Sequence, residues 1–118
     1  MQMYLQKGEY AGRRYLDSNV VKQFTACAYC STGNRRGLGF DKPETDPTKD
    51  SPTCKSASED SYGHSGFTGT YTWVDPKYHL VYVFLSNRVA GGSADNKLAK
   101  LNIRTNIQQA VYDAIEKK

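Results

Sequence analysis

Two runs of β-branched and aromatic residues in the second half of the chain carry the strongest pattern of apolar positions. The first covers residues 70–74, and the second, residues 79–85, is a near-continuous apolar run typical of a strand buried on both faces. Between them, residues 75–78 read Asp-Pro-Lys-Tyr, with aspartate and proline where a type I turn favours them. The pattern predicts a β-hairpin.

The C-terminal part of the chain has apolar residues at helical spacing. The residues that fall three or four apart are Ile103, Ile107, Ala110, Val111, Ala114 and Ile115. We therefore expect a loop at 89–93, followed by an amphipathic helix that continues to the C terminus and lies on the hairpin sheet by this apolar face.

The N-terminal residues predict further elements of the same small domain. Residues 1–25 read as helical with one interruption, a turn or short hairpin at 10–16; Gly8 ends the first helix and Asp17 or Ser18 caps the second. The second helix has an apolar stripe of Val20, Val21 and Phe24. Residues 37–40, Gly-Leu-Gly-Phe, are typical of a short strand.

These elements predict the α+β class. The expected fold is a small antiparallel sheet of about three strands packed against the C-terminal amphipathic helix, with an N-terminal helical segment. Residues 41–61 contain no Val, Ile, Leu, Met or aromatic residue but three prolines, so we expect a mobile polar loop there.

Length and composition limit what such a chain can be. With 118 residues, 38% of them hydrophobic, and nine Tyr, four Phe and one Trp, it can build one domain with a modest core. No apolar run is long enough to span a membrane, and residues 1–7 lack the apolar region of a signal peptide. The net charge of +4 comes from scattered basic residues without a nucleic-acid motif, so no nucleic-acid partner is expected.

The three cysteines leave several readings open. Cys27 and Cys30 form a C-x-x-C pair, and Cys54 follows in the polar segment. A zinc site through these three residues lacks a second paired motif, and thioredoxin-like chemistry would need the pair at the start of a helix. The alternatives are one structural disulfide, including one from Cys54 to either of the others, or free thiols.

The glycine-rich residues 62–70, Tyr-Gly-His-Ser-Gly-Phe-Thr-Gly-Thr, are the most informative segment for function. They do not form a phosphate-binding loop, because no Gly-Lys-Ser/Thr ending opens a helix. Adjacent His64 and Ser65 would point to opposite faces of a strand and would not meet as base and nucleophile. Spacing alone favours a structural glycine-rich turn.

Residues 62–70, Trp73-Val74-Asp75-Pro76 and residues 80–88 together resemble the C-terminal end of the serine β-lactamase and penicillin-binding-protein-like family, most closely its class C β-lactamase and esterase branch. Residues 37–40 resemble the strand before the third active-site motif, which is here His64-Ser65-Gly66. The resemblance spans nearly the whole chain. It implies a partial β-lactamase-like fold, acyl transfer through a serine ester, and no cofactor or metal.

The resemblance also implies roles for individual residues. His64 would assist proton transfer or bind anionic groups, Ser65 would hydrogen-bond the substrate, and the backbone N–H of Phe67 would be one oxyanion-hole donor. Gly66 would let the substrate approach, and Arg88 would bind a substrate carboxylate.

Two motifs that the family reaction needs do not occur. No serine is followed three residues later by lysine, and no tyrosine is followed two residues later by asparagine. We therefore expect residues 1–118 to be a single partial domain, the C-terminal part of a longer serine hydrolase of lactams, esters or peptides, and to be inactive alone. The alternative is a self-standing binding module, linked by zinc through Cys27, Cys30 and Cys54.

The expected partner is the missing N-terminal part of the same domain. In the family a strand from that part pairs with the strand that matches residues 79–87, so here that strand would expose an apolar edge and favour a homo-oligomer. Family members act in the bacterial periplasm or outside the cell, and the same location is expected for the longer protein.

Overall fold

A computed structural model describes residues 1–92 and 96–117. Its helices are α1 (Gln2–Leu5), α2 (Ser18–Thr25), α3 (Lys97–Lys100) and α4 (Ile103–Glu116), and its strands are β1 (Glu9–Tyr10), β2 (Arg13–Arg14), β3 (Tyr62–Ser65), β4 (Tyr71–Asp75) and β5 (Leu80–Phe84). The fold is a small α+β architecture, as the sequence predicts. The predicted loop 89–93 is described as far as Gly92, since Ser93 lies outside the described residues.

The main sheet has three antiparallel strands in the order β3-β4-β5. The register pairs Tyr71 with Phe84 and Asp75 with Leu80, so the predicted hairpin is present. Asp75 closes β4 rather than opening the turn, which falls at residues 76–79. The third strand is β3, and therefore the glycine-rich segment is a strand up to Ser65 and a turn only after it.

The core lies between the sheet and α4 and is mostly aromatic. Tyr71, Trp73 and Tyr82 form its buried cluster, with Phe84 and Val111 packed against it. The Tyr71 and Trp73 rings are stacked with centroids 5.5 Å apart. Offset and edge contacts between rings add to the stabilisation from burial, so a few large residues supply most of the core of this polar chain.

Helix α4 lies on the sheet as expected, but by a different face. Its buried residues are Gln108 and Tyr112, whereas Ile107 and Ile115 are 45% and 36% exposed. Ala110 and Ala114 are exposed as well, so the prediction that the apolar stripe faces the sheet is wrong for four of its six residues. The helix buries polar side chains because they hydrogen-bond across the core, a pairing that periodicity does not detect. The predicted continuous helix is also interrupted at Asn102, whose φ is 49°.

The opposite face of the sheet is partly covered by aromatic residues from the first third of the chain. Tyr4 of α1 contacts Phe40, and Phe40 contacts Tyr62 of β3, both with ring centroids 5.2 Å apart. The predicted strand at 37–40 is wrong: this segment is a bend, closed by a hydrogen bond from Gly37 N to Phe40 O of 2.9 Å. The bend places Phe40 between the other two rings.

The N-terminal elements follow the predicted order. Strands β1 and β2 form the short hairpin, and α2 begins at a capping Asp17 whose carboxylate accepts from Asn19 N at 2.8 Å. Of the predicted apolar stripe on α2 only Val21 is buried, and Val20 and Phe24 are 39% and 46% exposed.

Residues 41–61 form neither a helix nor a strand, apart from isolated bridges at Asp41. Their second half nevertheless contacts the core through hydrogen bonds. Thr53 and Cys54 bond to Gln108 on α4, and Ser58 bonds to Asp75 on β4. At the start of the segment, Lys42 donates to Asp60 O at 2.9 Å, and burial lowers the pKa of its ammonium group. Mobility of this loop stays a prediction, and these contacts mark where it would be restrained.

Cys54 provides a chemical test of the contacts between residues 53–58 and the core. Cys54 is 6% exposed, and burial raises the pKa of its thiol. Because the thiolate is the reactive form, we expect Cys54 to react slowly with Ellman's reagent in the native chain and at once in 6 M guanidinium, as a single thiol. Rapid reaction under native conditions would contradict the burial of Cys54.

Candidate active-site strand and turn

Strand β3 holds the two polar side chains of the motif. His64 pairs with Thr72, and Ser65 pairs with Tyr71. Since successive strand residues project from opposite faces, His64 shares its face with Tyr62 and Ser65 projects towards the face that α4 covers. His64 is exposed and Ser65 is partly exposed. Their side chains form no base–nucleophile pair with each other, in agreement with the argument from strand geometry.

The outer edge of β3 is occupied at one point only within the described residues. Gly63 exchanges two backbone hydrogen bonds with Asp41, at 2.7 and 3.1 Å. Alternate residues of a strand present their backbone groups to the same edge, so Ser65 faces outward as Gly63 does. Gly66 faces inward and donates to Thr70 O at 2.8 Å, as this alternation requires. The edge at Ser65 is thus open to an extended ligand.

A tight turn at residues 66–69 follows the strand. The Gly66 carbonyl accepts from Gly69 N at 2.9 Å, and Gly69 has a φ of 94°, which favours glycine. In a planar trans peptide the N–H points opposite to the C=O. The Phe67 N–H therefore points away from the turn, and no acceptor in the described part of the chain receives it. Phe67 itself is 74% exposed.

The Arg88 side chain contacts this turn. Its Nε donates to Phe67 O, and its guanidinium lies over the Phe67 ring, 4.5 Å from the centroid. Its backbone N donates to Thr68 O at 2.8 Å. The structure thus brings Gly66, Phe67 and Arg88 together, whereas no described hydrogen bond joins His64 to them.

Gly63 fixes β3 against the core and gives a prediction. A Cβ at this position would overlap the Trp73 ring and the Thr72 carbonyl oxygen, and Trp73 is 1% exposed and cannot move aside. We expect Gly63→Ala to lower the free energy of unfolding by about 1–2 kcal/mol through overpacking. Urea denaturation measures this change.

Gly91→Ala is the matched control, since a Cβ there meets no described atom within 4 Å. It should leave the urea midpoint unchanged. Equal effects of the two substitutions would contradict the close packing of β3 on Trp73.

The cysteines do not form the zinc site of the alternative interpretation. Cys27 and Cys30 are joined in a disulfide, and Cys54 is a buried free thiol. No group of three or more His, Cys, Asp or Glu residues in the described ranges is arranged to hold a metal ion. A disulfide through Cys54 is also wrong, since Cys27 and Cys30 pair with each other and their bond does not tether the long segment.

Some residues that shape the site were not singled out from the sequence. Nothing in the composition of residues 41–61 distinguishes Asp41, yet it covers the edge of β3 and pairs with Arg36 at 3.2 Å. Its signal was weak, because an isolated bridge leaves no periodic pattern. The contact of Arg88 with Phe67 joins residues 21 apart and has no sequence signature.

The chain is similar to known proteins over most of its length. A family model described as Beta-lactamase matches residues 9–106. The Escherichia coli (strain K12) protein named "Putative D-alanyl-D-alanine carboxypeptidase" is 34% identical over 95 residues, which are 80% of this chain and 21% of that protein. The protein of the same name from Salmonella enteritidis PT4 is 33% identical over 98 residues, 83% of this chain and 22% of its own length.

A relative with a different name matches nearly as well. The N-acetylmuramyl-L-alanine amidase of Bacillus subtilis is 33% identical over 88 residues, 75% of this chain and 19% of that protein. The chain thus spans 19–22% of the length of these relatives. None of the described helices has the length and apolar character that crossing a membrane requires.

Proposed function

Because this chain belongs to the β-lactamase family, a family of serine hydrolases, we propose that it supplies the third active-site motif and one oxyanion-hole amide to acyl transfer on a lactam, ester or peptide. The observation that carries the proposal is the outward Phe67 N–H at the end of β3. Oxyanion holes are built from such preorganised backbone donors, which need no reorganisation as negative charge develops.

The other motif residues surround the position that a substrate would take. The open backbone edge at Ser65 accepts an extended segment by strand addition, and the missing side chain of Gly66 leaves room for its approach. The Ser65 hydroxyl would hydrogen-bond the substrate, and exposed His64 would transfer a proton or bind an anionic group. The serine nucleophile would come from elsewhere, since Ser-x-x-Lys and Tyr-x-Asn do not occur, and the chain alone would be inactive.

Among the three substrate classes we favour a peptide-type amide. The names of the relatives, carboxypeptidase and amidase, both refer to bonds at alanine residues. An amide substrate can also pair with the backbone of Ser65, as an extended peptide does. We propose that the protein acts in the bacterial cell envelope or outside the cell, where the Cys27–Cys30 disulfide is stable.

The partner that we propose is the N-terminal part of a longer domain, docked along β5. The outer edge of β5 pairs with no described strand, and Val83 and Leu85 are 55% and 79% exposed. Val83 pairs with Thr72 whereas Tyr82 pairs with Trp73, so Val83 and Leu85 project from the face of the sheet opposite to α4. The unpaired edge of β5 and these two side chains together offer one apolar surface.

When this surface is uncovered, we expect the chain to self-associate through β5. Val83→Lys places a charge on the exposed edge strand and should shift the chain towards monomer in sedimentation equilibrium at high concentration. Val20→Lys, on α2 and 39% exposed, is the control and should not change the association. A strictly monomeric parent chain with slow amide exchange along residues 79–87 would contradict this prediction.

A chimaera tests the function directly. Residues 9–106 would replace the matching segment of the E. coli relative, and turnover of p-nitrophenyl acetate and of a D-alanyl-D-alanine peptide would be measured. We expect activity in the chimaera and none in the isolated chain. His64→Asn should lower kcat, whereas His79→Asn, at the exposed histidine of the hairpin turn, should not.

Two results would overturn the proposal. One is a folded chimaera that turns over neither substrate and takes up no fluorescent penicillin. The other is hydrolysis by the isolated chain that Ser65→Ala abolishes, because it would place the nucleophile within these residues.

A further inference from the structure

Arg88 makes three separate contacts with the turn that carries Phe67. The Nε donates to Phe67 O, the guanidinium carbon lies over the Phe67 ring 4.5 Å from its centroid, and the Arg88 backbone N–H donates to Thr68 O at 2.8 Å. The first two contacts use the same side chain, one through an N–H group and one through the cation above the ring. A guanidinium can make both contacts, because it carries several N–H donors on a delocalised cation that associates with aromatic faces.

The turn is also packed from below by the segment that carries Arg88. A Cβ on Gly69 would lie 2.6 Å from Ser86 Oγ, 3.0 Å from Leu98 Cδ2 and 3.5 Å from Arg88 Cβ. The glycine therefore lets the turn sit directly on residues 86–88 and on α3. Arg88 contacts the outer side of the turn at Phe67, and the absence of a side chain at Gly69 allows close packing on its inner side.

These contacts fix the two peptide planes on either side of the Phe67 Cα. The plane before it is set by the Gly66–Gly69 hydrogen bond, which turns the Phe67 N–H outward. The plane after it is set by Arg88 on the Phe67 carbonyl. Without the second restraint, rotation about the Phe67 backbone would let the first plane tilt, since the exposed Phe67 ring has no other described partner that holds it.

We infer that Arg88 is a positioning residue that orients the Phe67 amide, instead of a residue that binds the substrate carboxylate. The inference rests on the proposed function, which gives that amide its oxyanion role. It makes a distinct prediction about substrates. A positioning residue acts on every acyl substrate alike, whereas a carboxylate-binding residue acts only on substrates that carry the carboxylate.

The informative variant is Arg88→Lys, which keeps the positive charge but loses the guanidinium over the Phe67 ring and the Nε donor. The matched control is Arg13→Lys, because Arg13 also lies over an aromatic ring, that of Tyr15 at 5.3 Å, but on the distant β1–β2 hairpin. Phe67→Leu removes the ring beneath the guanidinium while leaving the backbone carbonyl of residue 67 available to Arg88.

The first measurement uses the 118-residue chain itself and does not depend on activity. In ¹H–¹⁵N spectra, Arg88→Lys should shift the amides of residues 66–69 and speed the hydrogen exchange of the two hydrogen-bonded amides, Gly66 and Gly69, at least tenfold. Arg13→Lys should leave these amides unchanged. Phe67→Leu should remove the upfield ring shift of the Arg88 Nε–H. Unchanged amides at residues 66–69 in Arg88→Lys would overturn the inference, whatever the fate of the proposed function.

The second measurement uses the chimaera with two substrates, neutral p-nitrophenyl acetate and the D-alanyl-D-alanine peptide with its terminal carboxylate. We expect Arg88→Lys to lower kcat about tenfold on both with little change in KM, a part of the loss that follows removal of a whole oxyanion donor. A higher KM for the peptide alone, with the ester unaffected, would show that Arg88 binds the carboxylate and would overturn the inference. An inactive chimaera with intact Arg88 would count against the proposed function and leave the spectroscopic result standing.

Discussion

Asp75→Asn is expected to lower the free energy of unfolding by about 3–5 kcal/mol, enough to leave much of the chain unfolded near 37 °C. Asp75 is fully buried, and its two oxygens accept four hydrogen bonds. Oδ1 accepts from Ser58 Oγ at 2.6 Å and Lys77 N at 3.0 Å, and Oδ2 accepts from Tyr112 OH at 2.7 Å and Ser58 N at 2.8 Å. An amide NH₂ in place of either oxygen would face two donors.

Thermal and urea denaturation of the variant measure this loss. Asp113→Asn is the matched control, because Asp113 is exposed and, within residues 1–92 and 96–117, its side chain accepts a hydrogen bond from Gln109 alone. An amide oxygen can still accept that bond, so we expect an effect within about 0.5 kcal/mol. Tyr112→Phe removes one donor of the four and should cost less than Asp75→Asn. A stable Asp75→Asn variant would mean that the carboxylate does not hold these elements together.

Gln108→Leu is expected to destabilise the chain by about 2–3 kcal/mol, the second largest effect. The buried Oε1 accepts from Thr53 Oγ1 at 3.0 Å, Tyr71 OH at 3.1 Å and Cys54 N at 3.2 Å. Leucine would leave these three buried donors without their acceptor. The loss is smaller than for Asp75 because the acceptor is uncharged and because Gln108 Nε2, which is itself buried without a partner, disappears with it.

A double-mutant cycle separates this mechanism from a simple packing change. Tyr71→Phe should cost less stability in the Gln108→Leu background than in the parent chain, because its hydroxyl then has no acceptor to lose. Gln23→Leu, on the exposed side of α2, controls for the change of residue type and should be near neutral. Strictly additive effects of Tyr71→Phe and Gln108→Leu would contradict the shared hydrogen bond.

The regular elements were predictable because each depends on neighbours in sequence. The hairpin of residues 71–84 follows from two apolar runs and a turn, and the start of α2 follows from the capping Asp17. The strand prediction for residues 37–40 was wrong because the glycines fit a bend as well as a strand. The choice between the two depends on the contact of Phe40 with Tyr62. That contact is tertiary and produces no pattern in the local sequence.

The burial of two polar residues could not be predicted from the local sequence either. Gln108 lies outside the apolar stripe of its helix, and Asp75 stands before a proline, so both patterns favour an exposed position. Each is buried because its partners arrive from residues 53–58, more than fifteen positions away. For the candidate site, the motif at residues 64–66 was readable from sequence, whereas the contact of Arg88 with Phe67 required the fold.

The docking of residues 53–58 on α4 also sets an order for folding. The hydrogen bonds from Thr53, Cys54 and Ser56 reach residues 53–55 positions later in the chain. Closing a loop of that length lowers the entropy of the chain before any of these hydrogen bonds can form and offset the loss. We therefore expect these contacts to form late in folding. During synthesis the acceptors on α4 leave the ribosome only after residues 41–61 have left it. A growing chain therefore carries residues 41–61 undocked, and they stay accessible to proteases until α4 has been made.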